Sequence, residues 1–463
     1  MPAVPQLQGN ISVDAVEPQF ERQYANAVNP QWLRLLKLLQ MNVRYERCEG
    51  AELFTTGGQR ILDFLSGYCV HNLGHNHPAL IEAIKDELDR RGPAMLQSHV
   101  PESAGELAEI LCARAAGRVR KAFFCSSGSE GIEASIKFAK MHTKRAGLLY
   151  AEGAFHGLTC GALSLMGDAF WKQGFGSLLP DTHQIPFNDL GALEQQLKQK
   201  TYAAFFVEPI QGEAGIRIPT ADYFAGAQAL CKRYGTLLVL DEVQTGFYRT
   251  GKFLAAHHYS VEPDIVVLAK AMSGGLVPSG AVLMTDAIYD SVYGSLKRSL
   301  IHTSTFSENG LAMRAGLAVV ETLEREDAGN RAAESGNYLR AKLREALGEF
   351  EMVEEVRGEG LFSGIAFRPP RSLTLRFAFE AFSQIHPAMF GQVLVMRLFR
   401  DHGILAQICG NNFRVLKLIP PLIVSHQQID EAVEAVYQVV KLAHSPAVFW
   451  SEALGLARRV VNV

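Results

Sequence analysis

The chain has 463 residues, 48% of them hydrophobic and 20% charged, with a formal net charge of −3. Such proportions exclude disordered, collagen-like and coiled-coil classes, and no basic excess marks a nucleic-acid binder. No apolar run reaches the length of about eighteen residues that a membrane-spanning helix needs, so no membrane span is expected. The length is enough for about three domain-sized units. The opening Met-Pro-Ala-Val-Pro-Gln lacks the basic and apolar regions of a signal peptide. Cys48, Cys69, Cys112, Cys125, Cys160, Cys231 and Cys409 are scattered singly, an odd count with no C-x-x-C pair. That pattern predicts neither a disulfide framework nor a zinc site, no metal is expected, and a reducing cytoplasm is the expected location.

Along the chain, Phe20, Tyr24, Trp32, Leu35, Leu36 and Leu39 recur at helical spacing and predict an amphipathic helix over about 18–43. From 121 to about 325 short apolar runs alternate with helical patterns. The runs are Lys121–Cys125, Leu148–Ala151, Ala203–Val207, Thr236–Leu240, Asp264–Ala269 and Ala281–Met284, with helices such as Ser129–Met141 and Asp222–Tyr234 between them. This texture predicts a mostly parallel sheet covered on both faces. Ligands of such sheets sit beyond the carboxyl ends of the strands. After about 330 a helix at 330–350, strands at 361–367 and 413–418, and helices from Gly391 and Gln428 predict a smaller α+β unit, joined in space by the N-terminal segment. The expected division is therefore 1–61, 62–329 and 330–463. The tail 448–463, with Phe449, Trp450 and Leu454, is a further helix candidate suited to a packing or subunit contact.

Three features at strand ends carry chemistry. In Cys125-Ser-Ser-Gly-Ser-Glu130, a strand passes through small residues into a helix. Free N–H groups and the helix dipole converge there, so Ser127, Gly128 and Ser129 could cradle a phosphate, an ordinary N-cap being the alternative. The Walker spacing is absent. Asp241 ends a buried-looking strand, where a carboxylate needs a partner; a protonated ring nitrogen would serve, and capping of the next turn is the alternative. Lys270 follows another apolar strand, where desolvation would free its amine for imine formation; snorkelling to solvent is the bland reading. Gly274 and Gly275 behind it permit close approach. An anion cradle, an acid and an amine in this order are the groups pyridoxal 5′-phosphate requires.

Further motifs follow the same order: Asp63-Phe-Leu-Ser-Gly, Gly74-His-Asn-His-Pro, Ser127-Gly-Ser-Glu, Phe155-His-Gly, Glu208-Pro-Ile-Gln-Gly-Glu213, Asp241-Glu-Val-Gln-Thr-Gly, Thr303-Ser-Thr-Phe and Arg357-Gly-Glu-Gly. From about Leu62 to Leu422 the chain resembles the class III (ornithine/4-aminobutyrate/ω-amine type) pyridoxal-phosphate aminotransferases. The resemblance implies an α/β, aspartate-aminotransferase-like architecture (PLP fold type I), with a large domain on a mostly parallel sheet and a smaller α+β domain from both termini. It implies Phe155 stacked on the cofactor ring, Val243 on the other face, Gln244 at the phenolic oxygen and Glu208 close to Asp241. Lys270 would hold the cofactor and shuttle protons. Thr305 would bind the phosphate of the neighbouring subunit, making a homodimer with shared active sites. Tyr68 would stand at the substrate mouth. His156 is expected to be structural.

The chain departs from the family pattern in three places. Lys417 occupies the position, three residues before Pro420-Pro421-Leu422, where α-amino-acid transaminases of this class carry an Arg that clamps the α-carboxylate. A point charge replaces a bidentate fork. Glu213, the usual partner of that Arg, is retained and could pair with Lys417; Arg414 falls on the opposite face of the strand. Phe306-Ser-Glu-Asn-Gly310 and Tyr248 also differ, both expected near the cofactor and subunit boundary. These changes suit an amine, a diamine or a larger carbonyl acceptor, lipid or polyketide aldehydes and ketones included. The expected activity is amino transfer from a donor in the ornithine, putrescine or glutamate range to a carbonyl acceptor. Aminomutases, racemases and phospho-lyases share the pattern and remain alternatives, with a non-catalytic homo-oligomer more distant.

Overall fold

The computed structural model describes residues 18–96, 98–445 and 449–450. Its centre is a seven-stranded sheet. Across it the strands run Lys121–Cys125, Gly280–Met284, Ile265–Leu268, Leu237–Asp241, Tyr202–Val207, Gly147–Ala151 and Thr182–Ile185. Gly280–Met284 is antiparallel to both neighbours, and the pairings from Ile265–Leu268 outward are parallel. The middle strands are buried along their whole length, which explains why they read as continuous apolar runs. The Thr182–Ile185 strand escaped the sequence reading because its Thr-His-Gln start is polar and only Ile185 is buried.

Helix Gly128–Thr143 covers one face, packing Ile132, Ile136 and Phe138 on Val239, Val267 and Val282. Two smaller four-stranded sheets complete the fold. In one, the hairpin strands Tyr45–Glu49, Glu52–Thr55 and Arg60–Asp63 pair with Ile404–Leu405, so the N-terminal segment joins the C-terminal unit through a parallel bridge. The other is made of Val353–Glu359, Phe362–Phe367, Val415–Leu418 and Gln407–Ile408, backed by helices Ala328–Leu347, Met389–His402 and His426–Ala443. Helix Leu373–Ile385, absent from the sequence reading, packs Phe379 and Phe382 near Phe390 and Trp450.

The single helix expected over 18–43 is instead two, Gln19–Ala27 and Pro30–Leu38. Asn29 caps the second from outside, and Pro30 cannot donate to the preceding turn. Phe20, Tyr24, Trp32 and Leu35 are exposed in the single chain. Of the tail expected at 448–463, only Phe449 and Trp450 are described; both are helical and buried. Its other positions lie outside the described residues.

Candidate active site

The chemistry collects in one cavity of about 500 Å³ at the carboxyl ends of the central strands. Helix Gly128–Thr143 starts at its wall. Ser127 caps that helix, its Oγ accepting from the Glu130 N–H at 3.2 Å. Glu130 Oε2 in turn accepts from the Ser126 N–H at 2.8 Å. The Ser127 hydroxyl therefore caps the helix through its oxygen, which leaves its O–H to donate. The N–H groups of Gly128 and Ser129 nevertheless have no acceptor among the described residues and open onto an anion site. The space is narrow: a Cβ at Gly128 would come within 2.9 Å of Val243.

Asp241 closes the Leu237–Asp241 strand and is buried. One oxygen accepts from the Val243 N–H at 3.0 Å, the other meets His156 Nδ1 at 2.7 Å. His156, expected to be structural, thus has a specific partner in Asp241. Burial opposes charge on His156, yet the hydrogen bond and the charges of Asp241 and Glu208 raise its pKa above the ordinary imidazole value. Glu208, fixed by the N–H groups of Phe155 and Gly212 at 3.0 and 3.2 Å, is pushed up to about 7 by burial and by Asp241.

Lys270 follows the Ile265–Leu268 strand after one residue and faces the cavity. Its φ is +50°, a left-handed conformation that costs a non-glycine residue about 1–3 kcal/mol and is typically retained where function demands it. Burial lowers its pKa, outweighing the nearby charges of Glu213 and Asp241 that raise it. Phe155, Val243, Gln244 and Glu208 also line the cavity.

Tyr68, Glu213 and Lys417 do not line that cavity; Glu213 and Lys417 are buried beside it, and the exposed Tyr68 packs over them. Lys417 Nζ lies 2.6 Å from Glu213 Oε1 with the ring of Tyr68 4.8 Å away. Gln244 Nε2 donates to the same Glu213 oxygen at 3.2 Å, which ties the cluster to the cavity. Glu213 Oε2 accepts from the Gly410 N–H at 2.8 Å. Although burial raises it, Lys417 and these donors hold the Glu213 carboxyl below its ordinary range; Lys417 is raised by Glu213 against burial. Tyr68 rides on a left-handed turn, Ser66 to Cys69 all at positive φ. Asp63 accepts from the N–H groups of Leu65 and Ser66 to hold it.

Arg414 is exposed and stacks over Phe379, facing away from Lys417. Tyr248, expected near the cofactor, does not reach the cavity: its hydroxyl meets Glu324 at 3.3 Å and its ring packs on Phe253. Its neighbour Arg249 is fully buried and joins the Ser66 turn, Asn72, Leu361 and Pro420. Thr305 and Phe306 are exposed, Thr305 beside Glu130 and His302, and neither lines the cavity of their own chain.

The residues present fit pyridoxal phosphate. Gln244 Oε1 and His156 Nε2 are buried without partners, a helix N-terminus stands open, and a buried acid and an amine with lowered pKa share the space. Among the described residues, no cluster of His, Cys, Asp and Glu could hold a metal ion, and no helix is long and apolar enough to cross a membrane.

Fold and site together define a pyridoxal-phosphate enzyme of fold type I. The family profile for aminotransferase class-III matches residues 37–440, and the chain belongs to that pyridoxal-phosphate-dependent family. Among curated relatives it is similar to Aminotransferase PigE of Serratia sp., 35% identical over 92% of this chain, and spans only 54% of that protein. A putrescine aminotransferase of Pectobacterium atrosepticum is also 35% identical, over 89% of this chain and 86% of its own length. Among solved structures, the ornithine aminotransferase of Toxoplasma gondii, with PLP at partial occupancy in its active site, superposes with a TM-score of 0.78. It is 26% identical over 92% of this chain and 99% of that one.

Proposed function

We propose that the chain is a transaminase that takes an amino group from an amine, diamine or amino-acid donor and passes it to a carbonyl acceptor, with Lys270 as the amine that would hold the cofactor. The convergence of Lys270, the Asp241–His156 pair and an open helix N-terminus on one cavity carries this reading. When bound, pyridoxal phosphate supplies a carbonyl that condenses with amines and a ring that withdraws electrons. The N–H groups of Gly128 and Ser129 would hold its phosphate, and Phe155 and Val243 would flank its ring. Gln244, with one N–H committed to Glu213, keeps another for the phenolic oxygen. Asp241 would keep the ring nitrogen protonated, His156 would orient Asp241, and Glu208 would support both. Lys270 Nζ, its basicity lowered by burial, moves the proton at the donor carbon.

Thr305 would complete the phosphate site of a second subunit, so the working form is a homodimer; its exposure outside its own cavity supports this. Free cysteines throughout suit a cytoplasmic location. We read 1–61 and 330–463 as a small domain and 62–329 as the large one, with strand Arg60–Asp63 and helix Ala328–Leu347 crossing the two joints.

Tyr68, Glu213 and Lys417 would face the distal end of the donor. Because Lys417 is already neutralised by Glu213, the closed pair offers no free cation to a carboxylate. That favours a diamine donor, in the range that includes putrescine, over glutamate. The experiment is a donor panel (putrescine, ornithine, glutamate) with a 2-oxo acid acceptor, following nitrogen transfer. Faster transfer from the diamine supports the reading. A loaded protein that transfers nitrogen from none of them would overturn it in favour of mutase, racemase or lyase chemistry.

A further inference from the structure

Trp171 lies outside every motif above, yet it joins the two halves of the site. It belongs to the short 3₁₀ turn Ala169–Lys172 of the large domain, and its ring stands edge-on to Phe155 with centroids 5.7 Å apart at 88°. Its indole N–H donates to Asn411 Oδ1 at 2.8 Å. Asn411 belongs to the loop between strands Gln407–Ile408 and Val415–Leu418 of the small sheet. The Asn411 amide donates at 3.0 Å to the Gly153 carbonyl, two residues from Phe155, and its backbone N–H donates at 2.9 Å to the Glu213 carbonyl. The preceding residue, Gly410, donates to the Glu213 carboxylate itself. The same loop therefore holds Glu213 from two sides, and the Trp171–Asn411 bond fixes that loop to the segment carrying Phe155. A side chain at Gly410 would fill the gap, since its Cβ would lie 3.1 Å from Glu213 Oε2 and 3.6 Å from Trp171.

We propose that Trp171, acting through Asn411, is a positioning residue that sets the Glu213–Lys417 pair against the cavity and so determines how the distal end of the donor is recognised. This rests on the aminotransferase reading. Trp171 touches no reacting atom; losing its bond loosens the loop while Lys270, Asp241 and the helix N-terminus stay in place.

The test compares Trp171→Phe, which keeps an aromatic edge against Phe155 but loses the N–H, with Asn411→Ala and the double variant, all as cofactor-loaded full-length protein. A neutral hydrogen bond of this kind is worth about 1 kcal/mol. Each single variant is accordingly expected to raise the donor KM about three- to tenfold, with kcat and cofactor Kd changed less than about twofold. The double variant should be no worse than Asn411→Ala, which already removes the Trp171 bond together with the amide's bond to Gly153. Indole fluorescence reads the bond without turnover: Asn411→Ala should shift emission, and the shift should vanish in the Trp171→Phe background. Donor KM unchanged in both variants, effects that add, or losses confined to kcat would overturn the proposal while leaving the aminotransferase reading intact. A loaded wild type that transfers nitrogen from no donor would overturn that reading and this inference together.

Discussion

His156 Nδ1 and Asp241 Oδ2 stand 2.7 Å apart in surroundings closed to solvent, 85 residues apart in sequence. The imidazole holds this buried carboxylate in place where a cofactor ring nitrogen would pair with it. A hydrogen bond to a charged group contributes about 1.5–3 kcal/mol. His156→Gln is therefore expected to weaken cofactor binding about tenfold to a hundredfold, measured by absorbance titration of the cofactor-free protein. Affinity within twofold of wild type would contradict this role.

The same buried acids set a pH signature. Glu208 and Glu242 are both pushed up to about 7 by burial, from an ordinary value of 4.5. A carboxyl whose folded pKa is raised binds its proton more tightly when folded, so its contribution is whole below pH 4.5 and is lost as pH rises through 7. His156, raised above 6.5, has the same sign. Thermal midpoints of the cofactor-free protein should show Glu208→Gln gaining on wild type steadily from about pH 5 to 8. A constant difference across that range would show that Glu208 does not titrate as described.

Beside Gln244, Glu213 and Lys417 neutralise one another without solvent. Removing one partner of such a pair typically costs about 3–5 kcal/mol, because a charge is left buried and alone. Glu213→Gln should thus destabilise strongly in denaturant unfolding, and Glu213→Gln with Lys417→Met should recover much of the loss. Simple addition of the two single effects would contradict the pairing.

Gly157 joins the two walls of the cavity. Its φ is +120°, and a Cβ there would run into the hydroxyl and Cα of Ser129. Gly157→Ala must strain the backbone and displace the helix N-terminus at once, an expected cost of about 1–3 kcal/mol together with markedly weaker cofactor binding. A variant with wild-type affinity would mean that the Ser129 end of the helix is not the phosphate site.

Much of this was legible in the chain. Asp241, Lys270 and the Ser127–Ser129 turn lie at strand ends because the strands are continuous apolar runs, and such runs have visible ends. The Glu213–Lys417 pair was also anticipated from its two motifs. What stayed hidden depends on contacts between distant segments. Tyr248, a departure from the family pattern, was expected near the cofactor and subunit boundary, yet the chain turns through positive φ at Phe247 and Tyr248 and sends the ring towards Glu324, away from the cavity. Arg249, in that same turn, gave no signal in the sequence, since its buried partners Leu361 and Pro420 lie more than a hundred residues away. Trp171 and Asn411 carry no local pattern, since the meaning of each lies in the other.

The central claim is that Lys270 is the amine that holds the cofactor. Borohydride reduction of the loaded protein, followed by peptide mass spectrometry, tests it directly. The account predicts a covalent pyridoxyl label on Lys270, lost in Lys270→Ala. A label on any other lysine, or none on a protein that binds the cofactor, would contradict it.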